Sequence, residues 1–175
     1  GEQHGSVYLG DDFGRVLGDL DPQVPLGEQI RPCLTRETSP IWQDSSTATE
    51  CAEIREALGG IGATAKLTGS DTFERFTGPQ IRRFWQRQTT DYEGTAHVAL
   101  VSSFLSSLLA GEVSPLEPGD AAGTNLMALQ FPHLMFAGGA LRRSSTVGDT
   151  VTLGNTLCPS ASITGFGSWS SVTTL

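Results

Sequence analysis

Few side chains in this sequence have the chemistry to bind or convert a ligand, and on their surroundings alone most carry a structural reading. His4, next to Gln3, reads as an ordinary surface histidine, and Arg75 as a surface or salt-bridging arginine. Asp44 is a possible functional carboxylate, but aspartate also favours turns and helix entries, and that reading is preferred. His97 and His133 share no metal-ligand spacing with Asp or Glu and read as structural. Asp120 and Asn125 flank a glycine-containing loop, where turn chemistry accounts for both. Arg82, Arg83 and Arg87 form one basic cluster on one predicted helix and read as its solvated face. Cys33, Cys51 and Cys158 are scattered and odd in number, with neither metal-ligand spacing nor a disulfide framework. A reducing cytoplasm is the simplest setting for them.

Bulk properties narrow the field. The 175 residues suffice for one domain with a real core and are too few for two ordinary domains. A net charge of −8 argues against nucleic acid or anionic lipid as the main partner, because phosphate backbones are bound by clustered Lys and Arg. No apolar run approaches the roughly 18 residues that span a membrane. No basic leader followed by an apolar run opens the chain, and a start at Gly1 is what a fragment or processed product would have.

The elements that must position these residues follow from pattern. Residues 6–9 read as a strand, and Arg15 to Leu17 as a second strand closing a hairpin across Gly10, Asp11 and Asp12. Residues 18–40 read as a loop with one helical turn near Leu26–Ile30. A helix starts at a Thr47/Glu50 capping box, stacks Cys51, Ile54 and Leu58 on one face, and stops at Gly59 and Gly60. A second starts at a Thr77/Gln80 capping box with Pro79 early, and buries Ile81, Phe84 and Trp85. Trp42 and Phe76 also read as core. Residues 97–101 read as a buried strand feeding a helix capped by Ser102 or Ser103. Phe104, Leu105, Leu108 and Leu109 form its apolar stripe, and Gly111 ends it. A strand running into a helix predicts an α/β layered domain. No internal repeat is present, and from Ser144 onward the only charge is Asp149, with no core pattern.

Four segments in order carry a resemblance. They are Gly1-Glu2-Gln3-His4-Gly5-Ser6-Val7-Tyr8 and Pro40-Ile41-Trp42-Gln43-Asp44-Ser45-Ser46-Thr47, then Leu67-Thr68-Gly69-Ser70 running on to Glu74-Arg75-Phe76-Thr77-Gly78-Pro79-Gln80-Ile81, and last Val101-Ser102-Ser103-Phe104 with Asp120, Gly123, Asn125 and Leu126. Together they resemble the first domain of the FGGY carbohydrate kinases, particularly the branch that phosphorylates D-xylulose. The resemblance covers residues 1–130, expected to be part of the N-terminal, sugar-binding domain. Residues 131–175 are expected to be a divergent Ser/Thr-rich tail.

The resemblance implies an incomplete α/β domain of ribonuclease-H-like, actin-like ATPase fold with a mixed sheet lacking its first strands. It implies that Gln3, His4 and Arg75 face the sugar, a ketopentose with D-xylulose first, and that the intact enzyme uses ATP and Mg²⁺. These residue types suit a polyol, since neutral histidine offers one donor and one acceptor, and arginine a rigid fan of donors. Two family parts are absent from this sequence. The glycine-rich phosphate loop would lie upstream of Gln3. The base aspartate sits in a Gly-Asp-Asn segment, and Gly148-Asp149-Thr150 does not match its surroundings. No catalytic or metal-binding residue is therefore assigned, and the chain alone is expected to be inactive as a kinase. The alternative expectation is a catalytically inactive truncation that binds sugar or a partner.

Overall fold

The computed structural model describes residues 5–127. The expected first strand, β1 (Ser6–Leu9), is present and pairs antiparallel with β2 (His97–Leu100), Ser6 opposite Leu100 and Leu9 opposite His97. Alternation along these strands sorts side chains to two faces. Tyr8, Val98 and Leu100 join one core with Ile54, Ile81, Phe84 and Tyr92. Val7, Leu9 and Ala99 face the other way, toward Phe13, Leu17, Ile30 and Cys33.

Helices cover both faces. The first core is closed by α3 (Ala48–Ala57), α5 (Thr77–Arg87) and α6 (Thr89–Glu93). Its ring contacts are edge-on, Tyr8 to Phe84 at 4.8 Å and Phe84 to Tyr92 at 6.0 Å between centroids. The second is closed by α1 (Phe13–Gly18), α2 (Leu26–Ile30) and α7 (Val101–Ala110). The layered α/β arrangement is as expected. Within the described residues the sheet has two strands, paired antiparallel.

Several local expectations change. Arg15–Leu17 is helical, because Phe13 and Leu17, four apart, bury one face of α1. A helix not expected, α4 (Ile61–Thr68), follows Gly59 and Gly60, both at positive φ. Its buried Thr64 and Thr68 satisfy their hydroxyls on the carbonyls of Gly60 and Thr64, one turn back, so polar residues line its inner face. In α7 the stripe is split: Phe104 and Leu108 pack inward beside the buried serines 103 and 107, while Leu105 and Leu109 are 54% and 81% exposed. Ser103 spends its hydroxyl on the backbone of Leu100, and Ser107 bonds Ser103 and the amide of Ser114, which lets the helix sit close to the strands. Trp42 is exposed and not core, because residues 41–44 form a turn closed by the Asp44 amide on the Ile41 carbonyl. The last described helix, α8 (Pro118–Ala122), leads to Asn125, which takes φ 61°.

Candidate functional site

The residues expected to meet a sugar are placed unequally. Gln3 and His4 lie outside the described residues, three and two positions ahead of β1. Arg75 is half-buried in the loop joining α4 to α5. Its guanidinium carbon lies 5.2 Å from the centre of the Phe73 ring and 5.3 Å from that of Phe76, and the two rings meet edge-on at 5.3 Å. Among the described residues it makes no hydrogen bond or ion pair, so the salt-bridging reading falls away. An arginine resting on aromatic faces keeps its donors in a fixed plane, ready for a partner with several acceptors.

The loop around it is held along its length. Asn125 donates to Thr68 Oγ1 at 3.0 Å and Ser70 Oγ at 3.2 Å. Arg55 donates to Asp71 Oδ1 at 2.7 Å and to the Thr72 carbonyl at 2.8 Å. The Thr72 hydroxyl reaches the Cys51 carbonyl at 3.2 Å. At the residue just before Arg75, the Glu74 carbonyl accepts from Thr47 Oγ1 at 2.7 Å and from Gln80 Nε2 at 3.0 Å. These last two contacts explain why neither expected capping box forms. Thr47 does precede α3, and Thr77 opens α5 after Phe76, but the side chains of Thr47 and Gln80 hold the loop instead of the helix ends.

Gln80 also donates to Asp44 Oδ1 at 2.7 Å, and the same oxygen accepts the amide and hydroxyl of Ser46 at 2.9 and 2.7 Å. The turn reading of Asp44 therefore holds. Burial, the strongest influence on this carboxyl, raises its pKa; the bonds from Ser46 and Gln80 and the nearby Arg36 together outweigh it and bring it below the ordinary value. Arg36 stacks over Tyr8 and Phe84 at 5.1 and 5.3 Å, with one guanidinium nitrogen buried and unpartnered among the described residues.

Arg82 and Arg83 are not a solvated face. Arg82 bonds Glu53 Oε2 at 2.6 Å, and Arg83 donates to the Ser46 carbonyl at 3.0 Å and lies 3.6 Å from the buried Glu50, so both tie α5 to the α3 side. Asp120 accepts from the Ser102 hydroxyl at 2.6 Å. The roles of Gln80, Thr47 and Arg36 are not legible from residue type; the repeated Thr-x-x-Glu and Thr-x-x-Gln spacings marked two of them but pointed to caps. Among the described residues no group of three or more His, Cys, Asp or Glu gathers to hold a metal.

Comparison with known proteins meets this geometry. Xylulose kinase 2 of Arabidopsis thaliana is 46% identical over 130 residues, covering 74% of this chain and 23% of that protein. The Mus musculus xylulose kinase is 42% identical over 130 residues, 74% of this chain and 24% of its own length. D-xylulose kinase A of Aspergillus niger is 45% identical over 126 residues, 72% of this chain and 22% of its own. The chain thus spans less than a quarter of the length of these curated relatives. No family model matches it. Among solved structures, xylulose kinase from Rhodospirillum rubrum superposes with a TM-score of 0.54 at 18% identity, over 72% of this chain and 21% of that one. The Brucella ovis enzyme, described as a xyloylose kinase, gives 0.52 at 22%, over 73% and 22%. The fold is that of part of a sugar kinase. Over the matched stretch the chain is homologous to xylulose kinases, which belong to the FGGY carbohydrate-kinase family.

Proposed function

We propose that this chain contributes the sugar-facing wall of an ATP-dependent carbohydrate kinase whose acceptor is a ketopentose, D-xylulose first. The observation that carries this reading is Arg75: half-buried, seated on two aromatic rings and without a protein partner among the described residues. A polyol offers acceptors at close spacing, and the fixed guanidinium fan matches them. Gln3 and His4, just ahead of β1, would face the same hydroxyls. Residues 1–130 would form part of the N-terminal domain, of ribonuclease-H-like, actin-like fold with an incomplete mixed sheet lacking its first strands. Residues 131–175 would be a divergent tail. ATP and Mg²⁺ would be held elsewhere in the longer protein, a cytoplasmic enzyme, and the acidic surface suits neither nucleic acid nor membrane partners.

The test is kinetic. Residues 5–127 are placed in the Arabidopsis kinase in exchange for its own homologous stretch, and Arg75→Ala is compared with the unmodified exchange. Loss of a charged hydrogen-bonding group should raise KM for D-xylulose by about 10- to 100-fold. Unchanged KM and kcat would sink the assignment. A second reading is an inactive truncation that still binds sugar. A rise in melting temperature of the 175-residue chain with ketoses, without ATP turnover, supports it.

A further inference from the structure

The structure assigns Gln80 a role as the positioning residue of the sugar-binding loop; the assignment rests on the reading of Arg75 above. Gln80 is fully buried, an unusual place for a primary amide unless its bonds are needed. From the first turn of α5 its single NH₂ group reaches two separate segments, the Glu74 carbonyl and the Asp44 carboxylate. It thereby fixes the peptide immediately before Arg75 to the turn that carries Trp42 and Asp44. Thr47 provides a second donor to the same Glu74 carbonyl, so two side chains from separate segments converge on that one peptide. The amide oxygen Oε1 has no partner among the described residues, so the side-chain bonds Gln80 makes there all run through its donors. Asp44, kept ionised by these bonds, is the stronger of the two acceptors and fixes the amide orientation.

A residue that acts through Arg75 has a kinetic signature different from one that merely stabilises the fold. Gln80→Met keeps size and removes both donors. In the exchanged kinase it should raise KM for D-xylulose by about 5- to 10-fold, the worth of a hydrogen bond, leaving kcat and KM for ATP within about twofold. In an Arg75→Ala background it should add nothing further, because the group it positions is gone. If Arg75→Ala raises KM while Gln80→Met does not, the inference is overturned and the reading of Arg75 stands. If Arg75→Ala has no effect, the reading fails and the inference falls with it. Equal losses in kcat and in KM for both substrates, repeated in the Arg75→Ala background, would make Gln80 a structural residue only and overturn the inference. Should Gln80→Met not fold, Thr47→Ala removes the other donor to the Glu74 carbonyl and must shift KM in the same direction, with Thr47→Ser restoring it. In the 175-residue chain, amide exchange at Phe76, bonded to the Phe73 carbonyl at 3.0 Å, should quicken in Gln80→Met while that of Gln88 at the far end of α5 does not. An unchanged Phe76 rate would also overturn the inference.

Discussion

At the scale of single residues, charge is tied down in pairs that cross between segments. Asp71 is drawn below the ordinary carboxylate range chiefly by the bond from Arg55, Glu53 chiefly by that from Arg82, and Asp44 by the balance of burial against its donors. All three are more acidic folded than unfolded. Their stabilising contribution is therefore complete above the unfolded value of about 4 and is lost as pH falls through the depressed folded values. Urea midpoints measured from about pH 6 to about pH 2 should fall steeply at the acid end, and Asp71→Asn should flatten that fall. An acid limb with the same slope in Asp71→Asn would mean the Arg55 pair contributes nothing to it. Burial pushes the thiols of Cys33 and Cys51 up, which fits two free, buried, unreactive cysteines. That part was legible from their scattered spacing. Arg82 and Arg83 were not: a basic triplet on a helix reads as a solvated face until the acidic residues of another helix, 29 and 33 positions away, are brought opposite.

Among the elements, the elbow between α3 and α4 shows how backbone conformation decides a boundary. Gly60 sits at φ 102° and ψ 176°, a region open essentially to glycine, and a Cβ there would meet nothing within 4 Å. Gly60→Ala should therefore cost about 1–3 kcal/mol from backbone strain alone. Gly62→Ala, inside α4 and equally unobstructed, should instead stabilise by about 0.5–1 kcal/mol. Thermal melts of the two variants check the pair; equal shifts would refute the conformational account. The stop at Gly59 and Gly60 was readable from sequence, as were β1, α2, α3, α5 and the end of α7 at Gly111. The helices α1 and α4 were missed for different reasons: α1 is six residues long and follows the turn formers Gly10, Asp11 and Asp12, so its apolar residues read as a hairpin strand, and α4 turns threonines inward and offers no apolar repeat. Arg75 was picked out by the resemblance; its seat on Phe73 and Phe76 was not, since Phe76 reads as core alone, and the donors that hold its loop come from positions whose spacing mimics helix caps.

Over the molecule as a whole, the two cores are unequal in closure. The outer row of α7, Val101, Leu105 and Leu109, is 37%, 54% and 81% exposed, a strip of apolar surface with no cover among the described residues. Leu105→Lys with Leu109→Lys should leave stability within about 0.5 kcal/mol, as surface changes do, while lowering self-association seen by light scattering. A loss of about 2 kcal/mol or more would mean these side chains are buried in the chain after all. The Glu74 carbonyl carries a consequence of another kind. Its two donors stand 27 residues before it and six after it, on either side of the α3–α5 contact. Both can reach it at once only when those helices have docked. The arginine loop is therefore held closed only while two helices that do not include it stay docked, and any separation of α3 from α5 releases it.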